Sequence, residues 1–236
     1  MDERVALITG GSMGLGRALT EELNWRGWRV VVDARDEPRL RAAVAALPAP
    51  GRVTAVAGDV ADAHHRHALA RAVEGAGRLD LLVNNASVLG PSPRPALADF
   101  PLDELARVLA VDAIAPLALA QRFLPELERT GGRIVNISSD AAVEAYAGWG
   151  GYGAAKAALD HLSAVLAVEH PAVAIYAFDP GDMATELMRQ ACPGEDTDAL
   201  PTPESVVPAV MRLVTGTLPS GRYRAGDLQP AEAVPA

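Results

Sequence analysis

Cysteine is almost absent: the 236-residue chain holds only Cys192, which excludes an intramolecular disulfide and any zinc cage built from thiolates. Positive charge is also short, with 21 Lys and Arg against 30 Asp and Glu, a net charge of −9. A chain of that sign repels phosphate backbones and anionic lipid, so neither nucleic acid nor a membrane surface is an expected partner. No uninterrupted apolar run comes near the roughly 20 residues that span a bilayer. The richest, Ala113 to Ala120, is short and contains Pro116. The start, Met1-Asp2-Glu3-Arg4 running into Val5-Ala6-Leu7-Ile8, lacks the basic flank, long apolar core and cleavage site of a secretory signal. These absences together predict a soluble, cytoplasmic protein. Linkers, internal repeats and composition breaks are lacking too, so residues 1–236 are expected to form one domain. The prolines at 91, 93 and 95 read as a surface loop, and 228–236 as a flexible tail.

What is present is a regular alternation. Apolar, β-branched runs predict strands at Val5–Thr9, Arg29–Asp33, Arg52–Ala57, Leu79–Val83, Gly132–Ile137 and Ala172–Ala177. Between them, Ala/Leu-rich stretches predict helices at about Leu15–Arg26, Pro38–Leu47, Asp62–Glu74, Asp103–Arg129 and Tyr152–His170, the fourth bent near Pro116. Strands apolar along their whole length are buried on both faces, which implies a parallel sheet covered by helices. Strict alternation then gives a doubly wound α/β fold, a parallel sheet of about seven strands with helices on both faces.

The first strand runs into Thr9-Gly10-Gly11-Ser12-Met13-Gly14-Leu15-Gly16. Glycines at 10, 14 and 16 allow a tight turn, let backbone N–H groups approach a pyrophosphate, and let the next helix pack closely on its strand. Strand three ends in Gly58-Asp59-Val60, where a carboxylate can accept from an adenine amino group. Strand four ends in Asn84-Asn85-Ala86-Ser87, strand five in Ser138-Ser139, and strand six leads to Asp179-Pro180-Gly181-Asp182-Met183-Ala184-Thr185. Tyr152 and Lys156, four apart at a helix start, project from one face. An ammonium beside a phenol favours the phenolate, which predicts a Tyr152 pKa lowered toward working pH. Such a tyrosine can give a proton to a carbonyl oxygen as hydride arrives, with the Ser139 hydroxyl bonding the same oxygen.

Taken in order, these pieces resemble the short-chain dehydrogenase/reductase family, from Val5 to about Asp227. The resemblance implies a compact, single-domain Rossmann fold and a nicotinamide-dependent oxidoreductase interconverting a carbonyl and a secondary alcohol. Its catalytic residues would be Ser139, Tyr152 and Lys156, with Lys156 also holding the nicotinamide ribose. Cofactor contacts are implied for Gly10, Ser12, Met13, Gly14, Leu15 and Gly16, and for Arg35, Asp59, Val60, Asn85 and Ala86. They are implied also for Tyr152, Lys156, Pro180, Gly181, Met183 and Thr185. Residues 186–204 would form a substrate lid, and self-association as a homodimer or homotetramer is implied through the long helix and the Tyr152/Lys156 helix. Ala154, Ala155, Ala157, Ala158 and Leu162 suit close helix contact, unless they face only the sheet.

Two positions depart from the family's pattern. An asparagine that usually holds a water in the proton relay is Asp112 here. Two readings stand: Asp112 belongs to the relay, with a charge that alters its pKa values, or it only pins the helix backbone. The usual glycine after Asn-Asn-Ala is Ser87, which slightly crowds the nicotinamide side.

The end of strand two, Val32-Asp33-Ala34-Arg35-Asp36, carries both cofactor signals. A carboxylate there accepts from the adenosine ribose 2′-OH and selects NAD, whereas an arginine accommodates the 2′-phosphate of NADP. Eighteen residues beyond Gly16, where NAD-dependent relatives place aspartate, stands Ala34, and the arginine position is Arg35. Ser12 and Arg17 add a hydroxyl and a charge, so NADP(H) is expected ahead of NAD(H). A register shift of one residue would instead bring Asp33 to the ribose.

His64, His65 and His67 crowd one helix start without further ligands, and read as a solvated helix end with no metal. Cys192 reads as an incidental thiol. The expected partner is a small carbonyl or alcohol. Leu89, the loop Ala141–Gly151 with Tyr146 and Trp149, and the segment from Met183 to about Pro201 are the pocket candidates, and they suit a neutral ketone. An NAD-dependent dehydrogenase, an inactive nucleotide-binding sensor or scaffold, and dehydration or epimerisation on the same scaffold stay open as alternatives.

Overall fold

Alternate residues of the first strand face opposite ways, and each set lands in its own core. The computed structural model describes residues 3–228, and in it β1 (Val5–Ile8) sends Ala6 and Ile8 to one face and Val5 and Leu7 to the other. The remaining strands are β2 (Arg29–Ala34), β3 (Val53–Ala57), β4 (Leu81–Asn84), β5 (Arg133–Ile137), β6 (Ala174–Asp179) and β7 (Gly221–Arg224). They pair in parallel in the order β3-β2-β1-β4-β5-β6-β7. One face is covered by α1 (Gly14–Trp25) and α8 (Pro203–Thr215), through Leu19, Leu23, Val210 and Leu213. The other is covered by α3 (Ala63–Ala76) and the long helix before β5, through Leu69, Val73, Leu119 and Phe123. Each such side chain, fully buried, contributes roughly 1.5–3 kcal/mol.

Strand order reverses between β1 and β4, so connections leave in opposite directions and a crevice opens beyond the strands' C-terminal ends. Helices α2 (Glu37–Ala45), α6 (Gly150–Glu169) and the short α7 (Glu186–Ala191) complete the main elements. The seventh strand was expected in number but not located, because Gly-Arg-Tyr-Arg is a charged edge without an apolar run. The expected tail lies outside the described residues from 229 on, while Leu228 itself is buried.

The long helix is irregular earlier than expected. It runs as α4 (Leu102–Leu109), a π-turn at Ala110–Ile114, and α5 (Ala115–Thr130). Pro116 has no N–H to donate, and its ring crowds the carbonyl four residues back, that of Asp112. The widened turn relieves that crowding and carries Asp112 inward. Leu102–Thr130 is also long and apolar enough, by length and composition, to cross a membrane, but 56% of its most apolar stretch is buried within the protein. Uninterrupted apolar runs alone do not reveal it.

Candidate active site

A cleft of about 1320 Å³ follows the crevice. Of the cofactor and catalytic candidates, all but Gly16 and Asp112 line it. Gly10 has φ 72, and a Cβ there would come within 2.9 Å of the Ala86 Cα, so only glycine brings the loop this close to β4. Asn85 fixes that approach: its Nδ2 donates to the carbonyls of Thr9 (2.8 Å) and Gly10 (3.1 Å). Thr9 Oγ1 in turn accepts from the N–H groups of Asn85 and Ala86, each at 3.0 Å. Met13 begins α1 without a side-chain cap, so the helix's first N–H groups are left to a ligand in the cleft. A close-approach glycine and an uncapped helix start suit a dinucleotide diphosphate.

At the adenosine end, Arg35 is exposed at the rim, and Arg39 and Arg107 also line the cleft. Sequence reasoning named Arg17 instead, which is exposed on α1 and is not among the lining residues. Arg107 donates to Asp59 (3.3 Å), whose carboxyl is pushed up by partial burial but ends below its ordinary value through the Ala61 N–H, Arg107 and Arg35. Asp33 is buried and turned inward. Its Oδ1 accepts from Gly10 N–H at 2.7 Å and its Oδ2 from His65 Nε2 at 2.9 Å. His65 therefore does not belong to a solvated helix end; His64 and His67 are exposed, but His65 is buried. Among the described residues, no group of three or more His, Cys, Asp or Glu is placed to hold a metal.

At the other end, α6 buries Tyr152 and Lys156 one turn apart, with the ammonium 5.4 Å from the phenol ring centroid. Trp149 packs edge-on against Tyr152, centroids 5.7 Å apart. Lys156 Nζ donates to the Ile137 carbonyl at 2.9 Å and stands 3.6 Å from Asp112 Oδ2. Asp112, fully buried, accepts from Ser87 Oγ at 2.6 Å and from Val88 N–H at 2.9 Å. It thus pins backbone and faces the lysine at once, and Ser87 bonds it rather than merely crowding the cleft.

Electrostatics overturn one expectation. Burial pushes the Tyr152 hydroxyl above its ordinary value; Lys156 pulls it down, Asp112 pushes it up, and hydrogen bonds with Ser139 and Ser87 pull it down. Desolvation wins, so Lys156 does not bring the phenol toward neutral pH. Burial also raises Asp112 against the pull of Lys156. Lys156 itself is lowered by burial but ends above its ordinary value, because the Asp112 charge holds its proton.

Ser139 Oγ donates to Asp140 Oδ1 at 3.0 Å, while Tyr146 donates to Glu144 and Asp140. Thr185 lies against the glycine turn, 3.5 Å from where a Gly14 Cβ would stand, and its hydroxyl caps α7 by accepting from Met188 N–H at 3.3 Å. Leu187 and Met188 of α7 pack toward Leu89 and Tyr152. Arg222 of β7 escaped sequence reasoning because its partners are remote. It donates to the Ser139 carbonyl (2.9 Å), Asp160 (3.0 Å) and Asp179 (3.1 Å), tying the loop after β5 to α6 and β6.

The sequence model of the short chain dehydrogenase family matches residues 4–196. The rhamnolipids biosynthesis 3-oxoacyl-[acyl-carrier-protein] reductase of Pseudomonas aeruginosa is 31% identical, covering 97% of this chain and 94% of that one. A Shigella flexneri structure described as a short chain dehydrogenase complexed with NADP superposes with a TM-score of 0.88 at 26% identity, covering 96% and 98%. An alcohol dehydrogenase from Thermococcus sibiricus, complexed with 5-hydroxy-NADP, gives 0.83 at 25% identity, covering 94% and 95%.

Proposed function

The chain belongs to the short chain dehydrogenase family, an NAD(P)-dependent oxidoreductase acting on CH–OH or C=O groups, and from that premise we propose that it interconverts a neutral ketone and its secondary alcohol with NADP(H). The observation that carries the reading is Tyr152 and Lys156, buried one turn apart with Ser139 lining the same cleft. The nicotinamide, when bound, supplies or accepts the hydride. Tyr152 holds the proton for the substrate oxygen. Its raised pKa keeps the phenol protonated at neutral pH, so reduction finds its acid ready while oxidation requires the phenolate. Lys156, held as an ammonium beside Asp112, offsets the phenolate charge once the proton has left. Ser139 orients the substrate oxygen with its hydroxyl.

Support for NADP(H) comes from Arg35 at the cleft rim, from Asp33 being engaged elsewhere, and from relatives solved with NADP or its 5-hydroxy derivative. Support for a neutral ketone comes from the lining of the catalytic end. Asp140, Asp182, Glu186 and Glu195 accompany Leu89, Trp149 and Met188 there, so an anionic substrate meets like charge. Exposed Leu102, Ile114, Val165 and Val168 on the long helix and α6 support self-association, as does exposed Ala154, whereas Ala155 is buried and Ala157, Ala158 and Leu162 are half-buried. A particle mass at micromolar concentration tests it.

The function is tested by following NADPH and NADH oxidation over a panel of diketones and aromatic ketones, with products identified by mass spectrometry. Turnover favouring NADPH is expected. Tight NADPH binding with no turnover on any substrate would favour a nucleotide sensor instead.

A further inference from the structure

The buried pair beneath the adenosine end takes no part in the hydride and proton transfers above. Asp33 stands at the end of β2, where a carboxylate would ordinarily be free to bind a ribose hydroxyl, and it lines the cleft. Both of its oxygens are nevertheless taken, one by Gly10 N–H at 2.7 Å and one by His65 Nε2 at 2.9 Å. The imidazole is held for this contact from several sides. Asp62 caps α3 by accepting from His64 N–H at 2.8 Å, which turns the next residue inward. The ring then lies over Gly58, where a Cβ would come within 2.2 Å of Nδ1, so the backbone at the end of β3 is shaped to the histidine.

We propose that His65 is a specificity-determining residue: by occupying Asp33 it withdraws the carboxylate from the adenosine ribose and leaves selection of the dinucleotide to Arg35. Without the imidazole, one Asp33 oxygen loses its partner at the wall of the cleft. That oxygen can then accept from a ribose 2′-OH, and its charge repels a 2′-phosphate. Both effects favour NADH over NADPH. The inference rests on the reading of the cleft as an NADP(H) site, and the two are judged by different numbers.

The test is titration calorimetry of NADPH and NADH with the wild type, His65→Leu, His65→Gln and the double variant His65→Leu/Asp33→Asn. The wild-type ratio of the two affinities decides the NADP(H) reading by itself. The change in that ratio decides the role of His65. His65→Leu should move it toward NADH by about tenfold, the scale of one hydrogen bond to a charged group. His65→Gln, which keeps an N–H donor, should stay near the wild-type ratio and keeps the test available if the leucine variant does not fold. Asp33→Asn added to His65→Leu should reverse most of the shift. An unmoved ratio in His65→Leu, or a Gln variant that shifts as far as a Leu variant, would overturn the proposal.

Discussion

The two ends of the cleft use the same device for opposite purposes. Each buries one aspartate, fastens it to a backbone N–H of a cleft loop, and sets a basic side chain against it: Asp33 with Gly10 and His65, Asp112 with Val88 and Lys156. A buried carboxylate is tolerable only when paired and hydrogen-bonded. Asp33 meets its imidazole at 2.9 Å, in a contact that takes the carboxylate away from the ligand. Asp112 stands 3.6 Å from an ammonium that itself lines the cleft, and so sets the charge state of a group facing the substrate. Pairing hides a charge in one case and tunes one in the other, and the partner's access to the cleft decides which.

The sharpest break between the ends should come from Tyr152→Phe. It removes the proton donor and should lower kcat by roughly 10²–10⁴-fold, while NADPH affinity measured by fluorescence titration stays near wild type. Near-full activity in this variant would sink the mechanism. Arg222 serves only the catalytic end, and Arg222→Met leaves the buried Asp179 with the Gly181 N–H at 3.0 Å and, as its cationic partner, Arg224 at 3.6 Å. Removing one partner of a buried pair costs several kcal/mol, so a stability loss of about 3 kcal/mol is expected in urea denaturation. A loss within experimental error would mean that Arg224 suffices.

At the adenosine end, Arg35→Ala should weaken NADPH about tenfold or more and leave NADH nearly unchanged, as for a lost charge-assisted hydrogen bond worth roughly 1.5–3 kcal/mol. Equal losses for both cofactors would place Arg35 away from the 2′-phosphate. The smallest effect is a shift in pH. Asp112 is one of the charges holding Tyr152 up, so Asp112→Asn should lower that pKa. The rise of alcohol oxidation with pH, which follows the phenolate, should then begin at lower pH than in the wild type. An unmoved profile would reduce Asp112 to a backbone pin for Val88.

The strands Val5–Ile8, Arg133–Ile137 and Ala174–Asp179 were legible because burial on both faces leaves an unbroken apolar signature. β7 was not, since its Arg222 and Arg224 face partners that only the folded sheet supplies. The glycine turn and the Tyr152/Lys156 spacing are local patterns, and their neighbourhood in one cleft follows from strand order. The aspartate pairs are not local. His65 lies 32 residues from Asp33, and no period along the chain connects them. The direction of the Tyr152 shift was misread for a related reason: spacing reveals the nearby ammonium, but neither the desolvation nor the second charge at Asp112.

The widened turn at Ala110–Ile114 holds one residue more than an ordinary helical turn. Successive helical residues are about 100° apart around the axis, so deleting one elsewhere in the helix would rotate everything downstream by that angle, whereas deleting one here would return the turn to ordinary α geometry. In the second case Leu119, Phe123 and Leu127 keep their places on the sheet, and the change falls on Asp112 and its contact with Lys156. A one-residue change in the length of this helix therefore spares the core only at these five residues, and its consequence is felt at the catalytic end of the cleft instead.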